Sequence, residues 1–261
     1  MDLESLDRGA ARTAGLLRVQ LAQMTAASQL LEQTATDAGS REQLAALNQS
    51  ICRMLRIVGR MELTYRLGAD APRLEPALVN LAELVRELGR EMTALLAGAG
   101  VELSVRCPER MSAFADGGLI RQLLLELTSN GAKAGKRVSV TLTKKGDSAS
   151  LTVEDDGPGL PPEKLETLFS GGGEKEPDWR KSGNGVAIAR RIAALHGGRL
   201  MADAAPGRGL RMVVTIPLGL DRVPGLLESP PARWKEGGFS EALVGLSDLL
   251  PAGLFAPKET E

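Results

Sequence analysis

Small or apolar residues recur in alternating steps of four and three through the first quarter of the chain. One run is Ala10, Ala14, Leu17, Leu21, Met24, Ser28 and Leu31. A second is Leu44, Leu47, Ile51, Met54, Val58, Met61 and Tyr65. That spacing is a heptad seam and predicts two long helices. Between them "DAGSREQ", residues 37–43, breaks the first helix and starts the second, with Ser40 expected as N-cap and Gln43 as its capping-box partner. Two consecutive helices joined this way form an antiparallel hairpin. A lone hairpin buries little, because each helix has an apolar stripe and only one neighbour. Pairing with a second copy gives a four-helix bundle; packing on the rest of the same chain is the alternative. The pattern favours the homodimer.

The pattern changes after "GADAPRLEP", 68–76, a break containing two prolines. Residues 77–100 read as one amphipathic helix ended by glycines. "VELSVRC", 101–107, alternates like a half-buried strand, and "MSAFAD", 111–116, is a short second strand. Residues 116–135 are expected to be helical, 137–155 to form a hairpin around "KKGDS", 161–169 to start a helix at prolines, 184–198 to form a helix ending at glycine, and 199–218 to form a last hairpin. The expected fold class is α/β: a helical hairpin over 1–67, a linker over 68–76, then an α/β sandwich over 77–218 with a mixed, mainly antiparallel sheet and helices on one face. Residues 219–261 form a proline-rich linker and one short amphipathic helix, 239–250, with Phe239, Leu243, Leu246 and Leu250 aligned and Trp234 as a candidate anchor. That tail either packs on the fold or docks a partner.

Composition excludes several function classes. The 261 residues carry a net charge of −1, which argues against a nucleic-acid partner and against an acidic tail. The two cysteines, Cys52 and Cys107, have no metal-ligand spacing and suit a reduced compartment. The apolar runs are too short to cross a membrane, and the charged first twenty residues do not read as a signal peptide. A cytoplasmic location without a membrane partner is expected.

"LTVEDDGPGLPP", 151–162, places two carboxylates at the mouth of a glycine loop. Such a loop after a strand commonly cradles phosphate, which Asp155 and Asp156 would repel. The usual phosphate motifs are also missing. "GAKAGKR", 131–137, has the wrong spacing for a P-loop, and both "GPGLPP" and "GNGVAI" lack the third glycine of a dinucleotide fingerprint. An acid beside a glycine turn suits a different partner. The exocyclic amine of adenine donates to a carboxylate, whereas the keto group of guanine would meet it with a second acceptor. Asp156 is expected to be a solvated neighbour.

These residues carry a resemblance. Residues 77–218 resemble the ATP-binding (Bergerat-type) domain of the GHKL superfamily, which includes sensor histidine kinases, gyrase-type ATPases, the heat-shock chaperone ATPase and mismatch-repair ATPases. "ELTSNGAKA", 126–134, resembles the N box, and "DDGPG", 155–159, the D-x-G-x-G box. "LFSGGG", 168–173, sits where histidine kinases have an F box. "GNGVAIAR", 183–190, resembles the second glycine box, and "HGGRL" with "PGRGLRMVVTIPL" the usual ending. The boxes follow in order over roughly 140 residues. The resemblance implies that Asn130 holds Mg²⁺ bridging the phosphates of ATP and that Lys133 meets those phosphates. It implies that Glu126 acts as general base or polariser and that Asp155 takes the adenine amine, with Gly157 and Gly159 against the base. Gly183 and Gly185 then give N–H groups to the phosphates, and residues 170–182 form the lid. His196, at a helix end, matches a structural position.

The departures shape the functional expectation. In a histidine kinase the first helix carries a phosphoacceptor histidine followed by an acid, and residues 8–31 here contain no His, Asp or Glu. Gln20, Gln23, Thr25 and Gln29 are expected at exposed positions, and no base is visible to activate the Thr25 hydroxyl. Ala187 replaces the third glycine of the second box. The expectation is a dimeric ATP- and Mg²⁺-binding regulator of two-component-type signalling that does not autophosphorylate on histidine, with a response regulator or another protein as partner. The alternatives are an active kinase acting on a partner and a slow ATPase using Glu126. An anti-sigma-type serine kinase fits less well, because such proteins lack the long hairpin.

Overall fold

The computed structural model describes residues 3–35, 37–68, 74–161, 163–165, 184–204, 207–219, 235–236 and 238–256. The chain divides into two compact units. One is Met1–Asp70 with Trp234–Glu261, and the other is Ala71–Arg233.

The first unit is built on α1 (Leu3–Glu32) and α2 (Ala38–Gly68). They run antiparallel: the Arg18 guanidinium pairs with Glu62 at 2.5 Å, and the Ser28 hydroxyl donates to Asn48 Oδ1 at 2.5 Å. The turn differs from expectation. Asp37 caps α2, accepting from the Ser40 N–H at 2.9 Å and the Ser40 hydroxyl at 2.5 Å. Ser40 is therefore inside the first turn, and an acid at the helix start suits the dipole. Side-chain hydrogen bonding and backbone N–H groups hold the Asp37 carboxyl below its ordinary range.

The heptad seam splits into two. Ala14, Leu21 and Ser28 of α1 and Leu44, Ile51 and Val58 of α2 are buried, whereas the alternate members Leu17, Met24, Leu31, Leu47 and Met54 are exposed. Each helix thus has one apolar edge inside the hairpin and one outside it. Thr25 is not exposed as expected: it is 3% accessible, and its hydroxyl donates to the Leu21 carbonyl at 2.9 Å.

The tail belongs to this unit. The short strands β8 (Lys235–Glu236) and β9 (Phe239–Ser240) pair antiparallel and lead into a five-residue helix, Glu241–Gly245, and a 3-10 turn, Ala252–Phe255. The single helix expected over 239–250 is corrected to this shorter element. Leu246 and Leu250 are buried, while Phe239 and Leu243 are half-buried. Trp234 lies outside the described residues.

The second unit follows the expected α/β order, with one correction at its start. Ala77–Asn80 is a strand, β1, rather than the first turn of a helix; it pairs antiparallel with β3 (Ser112–Ala115). The helix α3 begins at Leu81 and runs to Gly98, with Asn80 as N-cap accepting from the Glu83 N–H at 3.3 Å. Then come β2 (Glu102–Arg106), α4 (Gly117–Ala134), β4 (Arg137–Lys145), β5 (Ser148–Asp155), α5 (Asn184–Leu195), β6 (Arg199–Ala204) and β7 (Leu210–Pro217). The main sheet has the order β2-β4-β5-β7-β6, with β2 parallel to β4 and the other pairs antiparallel. Strand alternation sends Val138, Val140, Leu142, Leu151, Val153, Met212 and Val214 into the core. Leu84, Leu88 and Met92 of α3, Leu119, Leu123 and Leu127 of α4, and Ile192 of α5 complete it.

Candidate ATP-binding site

Period-two alternation along β5 decides which of the two adjacent carboxylates faces the helices. Asp155 shares the face of Leu151 and Val153, and its Cβ is 3.4 Å from the point where a Cβ on Gly131 of α4 would stand. Its Oδ1 accepts from the Gly157 N–H at 2.9 Å and from the Leu210 N–H at 3.4 Å. Burial pushes the Asp155 carboxyl above its ordinary range, outweighing those two N–H donors. An acid held this way keeps its second oxygen for a donor that arrives from outside.

The glycines around it are required by space. A Cβ on Gly157 would lie 2.8 Å from both the Ala134 carbonyl oxygen and Asp155 Oδ1. A Cβ on Gly135 would lie 2.9 Å from the Gly157 nitrogen. Gly159 adopts φ 71°, the left-handed region. The end of α4 and the D-x-G-x-G turn are thus packed backbone on backbone.

Asp156 is not merely solvated, as the sequence suggested. Its Oδ1 accepts from the Lys136 and Arg137 N–H groups at 2.7 and 2.8 Å, and its Oδ2 accepts from Arg137 Nε at 2.9 Å. The Arg137 N–H and guanidinium hold the Asp156 carboxyl down to about 2. It ties the β5 turn to the start of β4.

On α4, Glu126, Asn130 and Lys133 follow at steps of four and three and so share one stripe. Glu126 is 3% accessible, with Oε1 accepting from Gln122 Nε2 at 2.8 Å; Asn130 is half-buried and Lys133 exposed. α5 packs against α4. Gly185, in its first turn, is buried, and Ala187 is half-buried within the helix. Gly183, the F-box residues 168–173 and the 170–182 segment lie outside the described residues. The structure therefore brings the N box beside Asp155 and Gly157.

One contributor was missed in the sequence. The β6–β7 turn closes over the acid: Leu210 donates to it, Gly207 donates to the Pro158 carbonyl at 2.7 Å, and Gly209, at φ 76°, backs directly onto the Asp155 carbonyl where a Cβ would collide. The signal was present in "PGRGL", two glycines spaced for a tight turn, but nothing local said what it would touch.

His196 is a brace. Its Nε2 accepts from the Asp116 N–H at 3.1 Å, and Nδ1 lies 2.8 Å from the Ile192 carbonyl, which fixes the Nδ1–H tautomer. Asp116 in turn caps α4, accepting from Leu119 at 3.0 Å and from Glu75 at 3.2 Å.

A model of the histidine kinase-, DNA gyrase B- and HSP90-like ATPases matches residues 115–220. The sensor protein KdpD of Escherichia coli K12 is 29% identical over 181 residues, covering 67% of this chain and 20% of KdpD. The adaptive-response sensory kinase SasA of Parasynechococcus marenigrum WH8102 is 32% identical over 151 residues, covering 55% of this chain and 39% of SasA. The crystal structure of full-length ShkA in complex with AMPPNP superposes with a TM-score of 0.66 at 26% identity, covering 87% of this chain and 47% of ShkA. The chain thus spans less than half the length of these proteins. Over residues 115–220 it is similar to the GHKL ATPases, and it is histidine-kinase-like.

Proposed function

We propose that the chain binds ATP with Mg²⁺, acts as a dimer in two-component-type signalling, and does not phosphorylate itself on histidine. The observation that carries the last point is the state of the chain's single imidazole: both nitrogens of His196 are hydrogen-bonded to backbone groups within the sheet unit. On the first helix the Thr25 hydroxyl is buried and donates to the Leu21 carbonyl.

The residues present fit the nucleotide. The half-buried Asp155, with one oxygen pinned, suits the adenine amine, and the Gly157–Gly159 turn beside it is held against the end of α4. Asn130 would hold Mg²⁺ by its side-chain oxygen, with the phosphates supplying further oxygens, the usual mode for this hard cation. Lys133 would meet the phosphates, and Gly183 and Gly185 would present N–H groups to them at a helix start. Bound ATP supplies a transferable γ-phosphoryl group. The buried Glu126, oriented by Gln122, is the observation that favours the second reading, an active kinase or slow ATPase. The ShkA complex with AMPPNP supports a nucleotide site of this kind.

Asp155→Asn removes a charge-assisted bond worth about 1.5–3 kcal/mol and is expected to weaken ATP binding at least tenfold. Equal calorimetric affinities for wild type and variant would overturn the assignment. Incubation with γ-labelled ATP is expected to leave no acid-labile label. An acid-labile signal lost in His196→Gln would reverse this reading, and phosphate release abolished by Glu126→Gln would establish the ATPase.

A further inference from the structure

One stripe of α2 is occupied in a way the ATPase reading does not use. Asn48 Nδ2 donates to the Phe255 carbonyl at 3.0 Å, Gln49 Nε2 to the Leu250 carbonyl at 2.7 Å, and Arg53 Nε to the Ser247 carbonyl at 3.4 Å. One turn further, the Arg56 guanidinium pairs with the Asp248 carboxylate. Side-chain donors over successive turns thus read three main-chain carbonyls and one acid. Apolar anchors accompany them: Val244, Leu246, Leu250 and Phe255 are buried. At the other end of the segment, Gly238 adopts φ 88°, and a Cβ there would lie 2.7 Å from Gln29 Nε2 of α1. The positive φ favours glycine at this point, beside the Gln29 side chain of α1.

The segment has little structure of its own. Its helix has five residues and its 3-10 turn four, far below the length at which a helix persists in water. Its conformation is therefore set by α2. The recognition is also of a peptide kind: main-chain carbonyls give affinity, while one acid and a few apolar anchors give selectivity. Chain order adds a consequence. The sheet unit, Ala71–Arg233, is an insertion between two parts of the hairpin unit, so the docked tail gives it a second chain connection to that unit.

We propose that the Asn48–Arg56 stripe of α2 is a peptide-binding site, held in cis by residues 238–256 as a releasable clasp. Docked, the clasp joins the inserted unit to the hairpin unit at both ends. Released, it leaves the inserted unit on one connection and bares the stripe. Tethering gives the cis segment an effective concentration of order millimolar, so it excludes a free peptide of similar affinity until the connection is cut.

The test uses the full chain with a site-specific protease sequence inserted between Leu227 and Glu228. Before cleavage, a fluorescent synthetic peptide spanning 235–256 is expected not to bind. After cleavage the C-terminal fragment is expected to co-elute with the body, then to exchange for the synthetic peptide. The Asp248→Lys peptide should compete at least tenfold less well, and the Asp248→Glu peptide should stay close to the native one. Loss of the fragment on cleavage would overturn the site. A fragment that never exchanges against excess peptide would overturn the clasp, making the tail a permanent part of the core. Equal competition by the Asp248→Lys peptide would overturn recognition of the acid. None of these readouts involves nucleotide, so they stand or fall apart from the ATP assignment.

Discussion

Among the described residues of the sheet unit, Met201 is the large apolar side chain that stands well into solvent; in the hairpin unit Leu16, Leu17, Val19, Met24, Leu30, Leu31, Leu47, Met54 and Ile57 all do, with Leu16 at 62% and Leu30 at 66%. The sheet unit closes its own core, because helices cover the sheet face that its strands make apolar. The hairpin has only one internal seam, and the tail covers part of α2. Leu17, Met24 and Leu31 of α1 and Leu47 and Met54 of α2 remain on its outer edge. The sheet unit buries its apolar residues within one copy, whereas the hairpin unit keeps a row of them in solvent.

The largest expected effect breaks that contrast directly. Leu17→Gln, Met24→Gln and Leu31→Gln together remove outward apolar contacts worth about 1.5–3 kcal/mol each when buried, and are expected to raise the dimer dissociation constant by at least about 100-fold. Sedimentation across a concentration series reads it. The matching truncation in the closed unit, Leu123→Ala, should cost about 2–5 kcal/mol of unfolding free energy with no dependence on protein concentration. A wild type that is monomeric at every concentration would remove the contrast altogether.

His196→Ala sharpens the comparison at an intermediate size. It leaves the Asp116 N–H and the Ile192 carbonyl without their imidazole partner, a loss of about 1–3 kcal/mol. Urea unfolding should show it in the sheet unit while the hairpin transition stays in place. A shift of the hairpin transition alone would contradict the brace.

The smallest effects are those of pH. The Asp155 carboxyl is raised, so its folded form holds a proton more readily than a free aspartate does. If the charged form binds the adenine amine, ATP affinity should fall with decreasing pH in a window above the ordinary aspartate range, and Asp155→Asn should flatten that fall. Asp156 has the opposite sign. Its carboxyl is held at about 2, so its contribution to stability is present above the ordinary value and is lost as pH falls through about 2. The stability difference between wild type and Asp156→Asn should therefore be constant near neutrality and shrink between about pH 4 and 2. A difference that grows on acidification would refute the bonding described.

These two neighbours also mark what was legible in the sequence. The placement of Asp155 could be read because it follows from strand alternation and a glycine turn, both local. Asp156 could not, since its partners Lys136 and Arg137 reach it only through the β4–β5 register, in which Val138 stands opposite Asp155. The main sheet was legible for the same reason as Asp155: alternation writes it residue by residue. β1 was not, because "ALVN" runs straight into a helix and only pairing with β3 makes it a strand. Heptad spacing gave both helices but not the division of Leu17 from Leu21, which depends on where the partner helix lies. The tail was legible only in part: apolar spacing announced a helix, but its short extent and its bonds to α2 depend on α2 side chains far away in sequence.

The insertion seen in the chain order has a consequence for synthesis. α1 and α2 leave the ribosome before the sheet unit, and the segment that covers Asn48–Arg56 is made only after the whole of Ala71–Arg233. At about 5–20 residues per second, the nascent hairpin carries that bare stripe for about 10–40 s, long enough for the sheet unit to fold meanwhile. The hairpin unit, begun before the sheet unit, is finished after it.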